Sequence, residues 1–154
     1  MTRVLAMDPG GTTGWALFED NKVVRFGNTP QDNFYEWLNS VQTSLAPDYI
    51  VVEDYLIRPE KLTGSSYTHV WSSGQTIRFI GAVVFYGVQT KIPVTLQQPA
   101  IKPVAAKLTG IPFKRRKKGV HHLDAMLHGG YFLITELKVN PRDVRLPGAG
   151  QASA

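Results

Sequence analysis

The chain contains no cysteine. That excludes disulfides and thiolate metal sites. It also lacks a long uninterrupted apolar run, which excludes a transmembrane helix. Met1-Thr2-Arg3 leads straight into a strand-like run and shows no signal-peptide plan. A cytoplasmic protein with no membrane association is expected, in a bacterial or phage-infected cell. There is no Gly-x-x-x-x-Gly-Lys-Ser/Thr loop, so the commonest phosphate-cradling motif is missing. No internal repeat and no second domain is visible in 154 residues, a length that suits one domain.

Positive charge is present in surplus. The net charge is +5, and the pI is about 9.6, a balance that points to an anionic partner, nucleic acid being the commonest. The surplus is concentrated. Lys114, Arg115, Arg116, Lys117 and Lys118 are consecutive, Lys102 and Lys107 stand shortly before them, and no acidic block lies alongside. These seven residues are the candidate DNA contacts. The plain alternative for the run is a solvated loop.

The apolar pattern predicts five strands and four helices. Residues 3–7 read as a buried strand, and residues 14–18 as a second that returns after the Asp8-Pro9-Gly10 turn. Residues 22–27 read as a third, with Asp20-Asn21 between them as hairpin residues. Thr29-Pro30-Gln31-Asp32 opens a helix whose Phe34, Trp37, Leu38, Val41 and Leu45 fall at helical spacing. Residues 49–52 form a short apolar strand that ends in Glu53-Asp54.

Residues 67–89 read as the longest helix. Ile77, Ile80, Val84, Phe85 and Val88 form one apolar stripe, expected on the sheet. Phe79, Val83 and Tyr86 form a second, expected to face another subunit. A strand over 93–96, a short helix over 102–108 and a last helix over 120–137 follow. Residues 1–139 are expected to form the domain, and 140–154 a loose tail. The order of elements describes a mixed α/β layer fold.

Within that pattern two acids occupy matching places. Asp8 closes the first strand and Glu53 the fourth. If those strands are parallel neighbours, both carboxylates emerge where such sheets bind ligands, beyond the strand C-termini. The last helix adds His121 and Asp124, three residues apart and on one face. Clustered carboxylates repel one another, and a divalent cation resolves the conflict. Oxygen ligands with one imidazole suit Mg²⁺ or Mn²⁺ better than zinc. Two such ions activate a water and stabilise the leaving oxygen of a phosphodiester.

"MDPGGTTGWAL", "IVVED" and "HHLDAMLHG", in this order and spacing, resemble the RuvC-type Holliday junction resolvases of the RNase H-like superfamily. The resemblance covers about the first 135 residues and would suit a bacteriophage or a bacterial member. It implies a five-stranded mixed sheet flanked by helices. It also implies a homodimer that nicks a four-way DNA junction in pairs with Mg²⁺ or Mn²⁺, in recombination and repair. Asp8, Glu53, His121 and Asp124 take the metal-binding and catalytic roles. His122 reads as a surface or supporting residue, and His128, one turn beyond Asp124, as structural or a weak contact.

Three alternatives stand beside this reading. A related nuclease would prefer flaps, forks or RNA–DNA hybrids. A non-catalytic branched-DNA binder would set its acids beside phosphates at a cost. An actin-like or sugar-kinase ATPase shares the "DPGGTTG" turn but needs two lobes, for which this chain is short.

Overall fold

The computed structural model describes residues 1–55, 67–111 and 120–147, with side chains from residue 73 onward in the second segment. Strands β1 (Arg3–Asp8), β2 (Thr12–Glu19), β3 (Lys22–Pro30), β4 (Tyr49–Glu53) and β5 (Val94–Gln97) form one sheet in the order β3-β2-β1-β4-β5. The first three strands are antiparallel, whereas β1–β4 and β4–β5 are parallel. Helices α1 (Phe34–Ser44) and α2 (Tyr67–Thr90) cover one face. Helix α4 (His121–Thr135) covers the other, with α3 (Lys102–Thr109) packed beside it.

The alternation of side chains along a strand assigns the faces. Leu5 and Met7 of β1, with Ile50 and Val52 of β4, point to α1 and α2 and join Phe34, Leu38, Val41 and Phe79 in one core. Val4 and Ala6, with Val51, point to α4 and pack on Leu123, Met126 and Leu133. The same parity carries Asp8 and Glu53 to the α4 side. The sheet pattern thus decides which face receives the acids.

Two glycines allow α4 to lie close to the sheet. A Cβ on Gly14 would overlap the backbone of His121 and His122, and one on Gly129 would overlap the Phe18 ring and crowd the Ala6 side chain. Gly14 is the β2 residue paired with Asp8. The bare backbone there lets the first turn of α4 come down beside the end of β1.

Three expectations are corrected. The helix expected to open at 29–32 begins at Phe34, because β3 continues to Pro30 and a short 3-10 turn follows. Proline is compatible with this strand because β3 lies at the sheet edge. The stripes on α2 exchange roles. Phe79, Ile80 and Val83 are buried in the core, with Phe79 stacked on Phe34 at 4.1 Å between ring centroids. Ile77, Val84, Phe85 and Val88 are the exposed ones, Phe85 at 64% and Val88 at 70%. The segment read as a tail is docked in its first part. Val144 is buried beside α4, and Arg145 exchanges backbone hydrogen bonds with Asn21 and Val23. No helix among the described residues is long and apolar enough to cross a membrane.

Candidate active site

The parallel pairing of β1 with β4 brings Asp8 and Glu53 to the same end of the sheet. Helix α4 lies over them and presents one stripe. His121, Asp124 and His128 are spaced i, i+3 and i+7, so they share a face. The His121 Nδ1 is 3.3 Å from Asp8 Oδ2. The His128 Nε2 is 2.7 Å from Glu53 Oε2, and its Nδ1 is 2.9 Å from Gln97 Oε1.

Between these groups lies a lysine. The Lys102 ammonium is 2.7 Å from Glu53 Oε2 and 3.4 Å from Asp124 Oδ2. It is held there by the chain path after β5. A 3-10 turn, Pro99–Ile101, leads directly into α3, and Ala105 and Ala106 let α3 pack against Leu127 of α4. Lys102, expected among the DNA contacts, therefore sits inside the acid cluster. Lys107 is exposed on α3. Residues 114–118 lie outside the described residues.

The protonation of the cluster follows from burial and neighbours. Burial pushes the Asp8 carboxyl above its ordinary value. The charges of Glu53 and Asp124 add to the rise, and the His121 hydrogen bond and the Lys102 charge offset it only in part. Burial pushes Glu53 the same way, but the hydrogen bonds and charges of His128 and Lys102 together outweigh it and hold the carboxyl below its usual range. Burial would weaken the Lys102 ammonium, yet the Glu53 hydrogen bond and the three acids raise it. His121 is raised chiefly by its Asp8 hydrogen bond, against a smaller opposing effect of burial.

The donor chemistry fits a hard divalent cation, with three carboxylates and one imidazole facing a single sheet end. Among the described residues, no three His, Asp or Glu groups are close enough as they stand to share one ion. Lys102 supplies the positive charge and bridges Glu53 to Asp124. A cation entering this cluster would compete with Lys102 for Glu53 and Asp124.

His122 is committed elsewhere. Its ring stacks on Phe26 at 5.1 Å between ring centroids, and Asn28 bonds both its Nδ1 and its backbone N–H. It fastens the start of α4 to β3. His128, which the sequence offers as structural or a weak contact, and Gln97, which it does not mark as a site residue, belong to the network around Glu53. A signal for both was present: His128 continues the His121/Asp124 stripe by one turn, and Gln97 ends β5 as Glu53 ends β4.

A five-stranded mixed sheet in this strand order, flanked by helices, is the RNase H-like architecture. Solved structures make the likeness specific. The chain is similar to Thermus thermophilus RuvC, both in a structure of the protein with its Holliday junction substrate (13% identity, TM-score 0.58, 88% of this chain and 97% of that one) and in another (12%, 0.58, 89% and 97%). It is also similar to the yeast mitochondrial Holliday junction resolvase Ydc2 (14% identity, TM-score 0.50, 93% and 73%). No family model and no curated protein matches the sequence. The fold is that of the RuvC-type resolvases.

Proposed function

We propose that the protein is a divalent-metal-dependent endonuclease that resolves four-way DNA junctions by paired nicks, through two-metal-ion phosphodiester hydrolysis in a homodimer. The observation that carries this reading is the convergence of Asp8, Glu53, Asp124 and His121 at one sheet end around a cationic group. Likeness of fold to resolvases supports it. So does the basic run, whose C-terminal end leads within two residues into His121.

Asp8, Glu53 and Asp124 would hold the metal, with His121 joining them from the more exposed rim. Bound Mg²⁺ or Mn²⁺ supplies a more acidic water and stabilises charge on the phosphodiester. A metal held there would share Glu53 and Asp124 with Lys102, whose ammonium could then pair with a phosphate. The exposed Ile77, Val84, Phe85 and Val88 stripe of α2 is the candidate two-fold contact, since paired nicks need two sites and a two-fold interface uses one patch twice.

The test is cleavage of labelled four-way junction, flap, duplex and RNA–DNA hybrid with and without Mg²⁺, for the wild type and for Glu53→Gln and Asp124→Asn. Paired junction nicks that need Mg²⁺ and are lost in both variants, with junction binding retained, are expected. Preferred cutting of flaps or hybrids selects the related-nuclease reading. Binding without any cleavage selects the non-catalytic one.

A further inference from the structure

His128 is the only fully buried histidine among the described residues, and neither ring nitrogen is idle. Nε2 faces a carboxylate oxygen, which only accepts, so Nε2 carries a proton and donates to Glu53. Nδ1 faces the Gln97 side-chain amide, which can accept through its oxygen or donate through its nitrogen by turning over. The donation to Glu53 is therefore the same whether the ring is neutral or charged.

The geometry is built from three elements. Glu53 and Gln97 are paired residues at the ends of adjacent parallel strands, and their side chains point to the same face. His128 descends between them from α4. Gln97 is itself buried. Glu53 Oε2 thus receives two donors from different directions: Lys102 and the His128 ring in the core. Glu53 Oε1 takes no hydrogen bond from a described residue. The two donors differ in permanence. Lys102 competes with any cation for the same acids, whereas His128 is uncharged or charged behind them and locked by packing.

We infer that His128, fixed by Gln97, is a positioning residue that holds the Glu53 carboxylate ready to ligate the metal. The inference rests on the metal-nuclease reading above and adds to it a buried support for one ligand. Groups that hydrogen-bond a metal ligand from behind typically change metal affinity 10–100-fold when removed. A buried histidine that merely satisfied the core would affect stability and leave metal affinity alone.

The experiment measures Mn²⁺ binding to the full chain without DNA, by the electron paramagnetic resonance signal of free Mn²⁺. Wild type, Glu53→Gln, His128→Leu, His128→Gln and Gln97→Met are compared, with junction binding in EDTA as the check on folding. His128→Leu should weaken Mn²⁺ binding about 10–100-fold. His128→Gln, which keeps a donor for Glu53, should restore most of that loss. Gln97→Met should weaken binding severalfold by freeing the ring. A wild type that binds no Mn²⁺, or a Glu53→Gln variant that binds it normally, overturns the metal reading and this inference together. If Glu53→Gln loses binding while folded His128→Leu stays within about twofold of wild type, the inference alone falls. If His128→Leu does not fold, Gln97→Met decides, and unchanged affinity there overturns the inference.

Discussion

The Lys102 ammonium stands closer to Glu53 Oε2, at 2.7 Å, than to Asp124 Oδ2, at 3.4 Å, and the lysine side chain is only 15% exposed. It is the counter-charge of a cluster that would otherwise repel itself. Lys102→Met should destabilise the metal-free protein by about 2 kcal/mol, since it leaves largely buried carboxylates uncompensated. Mg²⁺ should then raise the melting temperature of the variant more than that of the wild type. Thermal unfolding with and without Mg²⁺ measures both. Equal Mg²⁺ shifts would mean that Lys102 and the metal do not share the same acids.

Asp8 carries the opposite sign of stability. Its folded pKa lies above the usual 3.8, so its ionised form costs stability at neutral pH, and the cost fades as pH falls through that raised value. Asp8→Asn should therefore stabilise the metal-free protein at pH 7 by about 0.5–2 kcal/mol, the usual scale for relieving a strained functional site, and abolish cleavage. The gain should shrink in acid. Urea unfolding in EDTA at pH 7 and pH 4 tests this. A variant less stable than wild type at pH 7 would show that the lost His121 bond outweighs the relieved burial of charge and repulsion.

The faces of α2 make different demands. Phe85→Glu and Val88→Glu replace exposed apolar groups and should leave the fold intact, convert a dimer to monomer in sedimentation, and reduce paired nicks to slow single ones. Val83 has no exposure. Val83→Glu buries an unpaired charge and should cost about 4 kcal/mol or more, seen as unfolding rather than dissociation. A wild type that sediments as a monomer, free and on junction DNA, rules out the dimer.

Replacing Lys114, Arg115, Arg116 and Lys117 with alanine should weaken junction binding and flatten its salt dependence by about 0.9 in log–log slope for each phosphate contact removed. Filter binding over a salt series gives that slope. No change in affinity or slope would make the run a solvated loop.

Most of the sheet was legible because strand parity is rigid. The apolar runs before Asp8 and Glu53 located both acids and, given parallel neighbours, their common edge. The phase of α2 was not legible. Its apolar residues lie on both sides, so a 3.6-residue period fits either stripe, and Ile80 borders both. Contacts with Phe34 settle which side is inside. Lys102 was read by charge alone, because in a basic chain nothing local separates a DNA contact from an ion-pair partner. Its partners come from a strand and a helix distant in sequence. Gln97 is legible only in outline for a related reason: it ends β5 as Glu53 ends β4, but only the pairing of the two strands brings them together.

The stripe on α4 has a mechanical consequence. His121 reaches Asp8, Asp124 reaches Lys102, and His128 reaches Glu53, so one rigid shaft carries three grips on separate parts of the site. Turning it by a single residue swings all three through about 100° at once, so no movement of the helix retunes one grip without disturbing its companions. Helix α3 holds its lysine on an independent mount. A shift of α3 would therefore move the lysine alone, while a shift of α4 would move all three grips together.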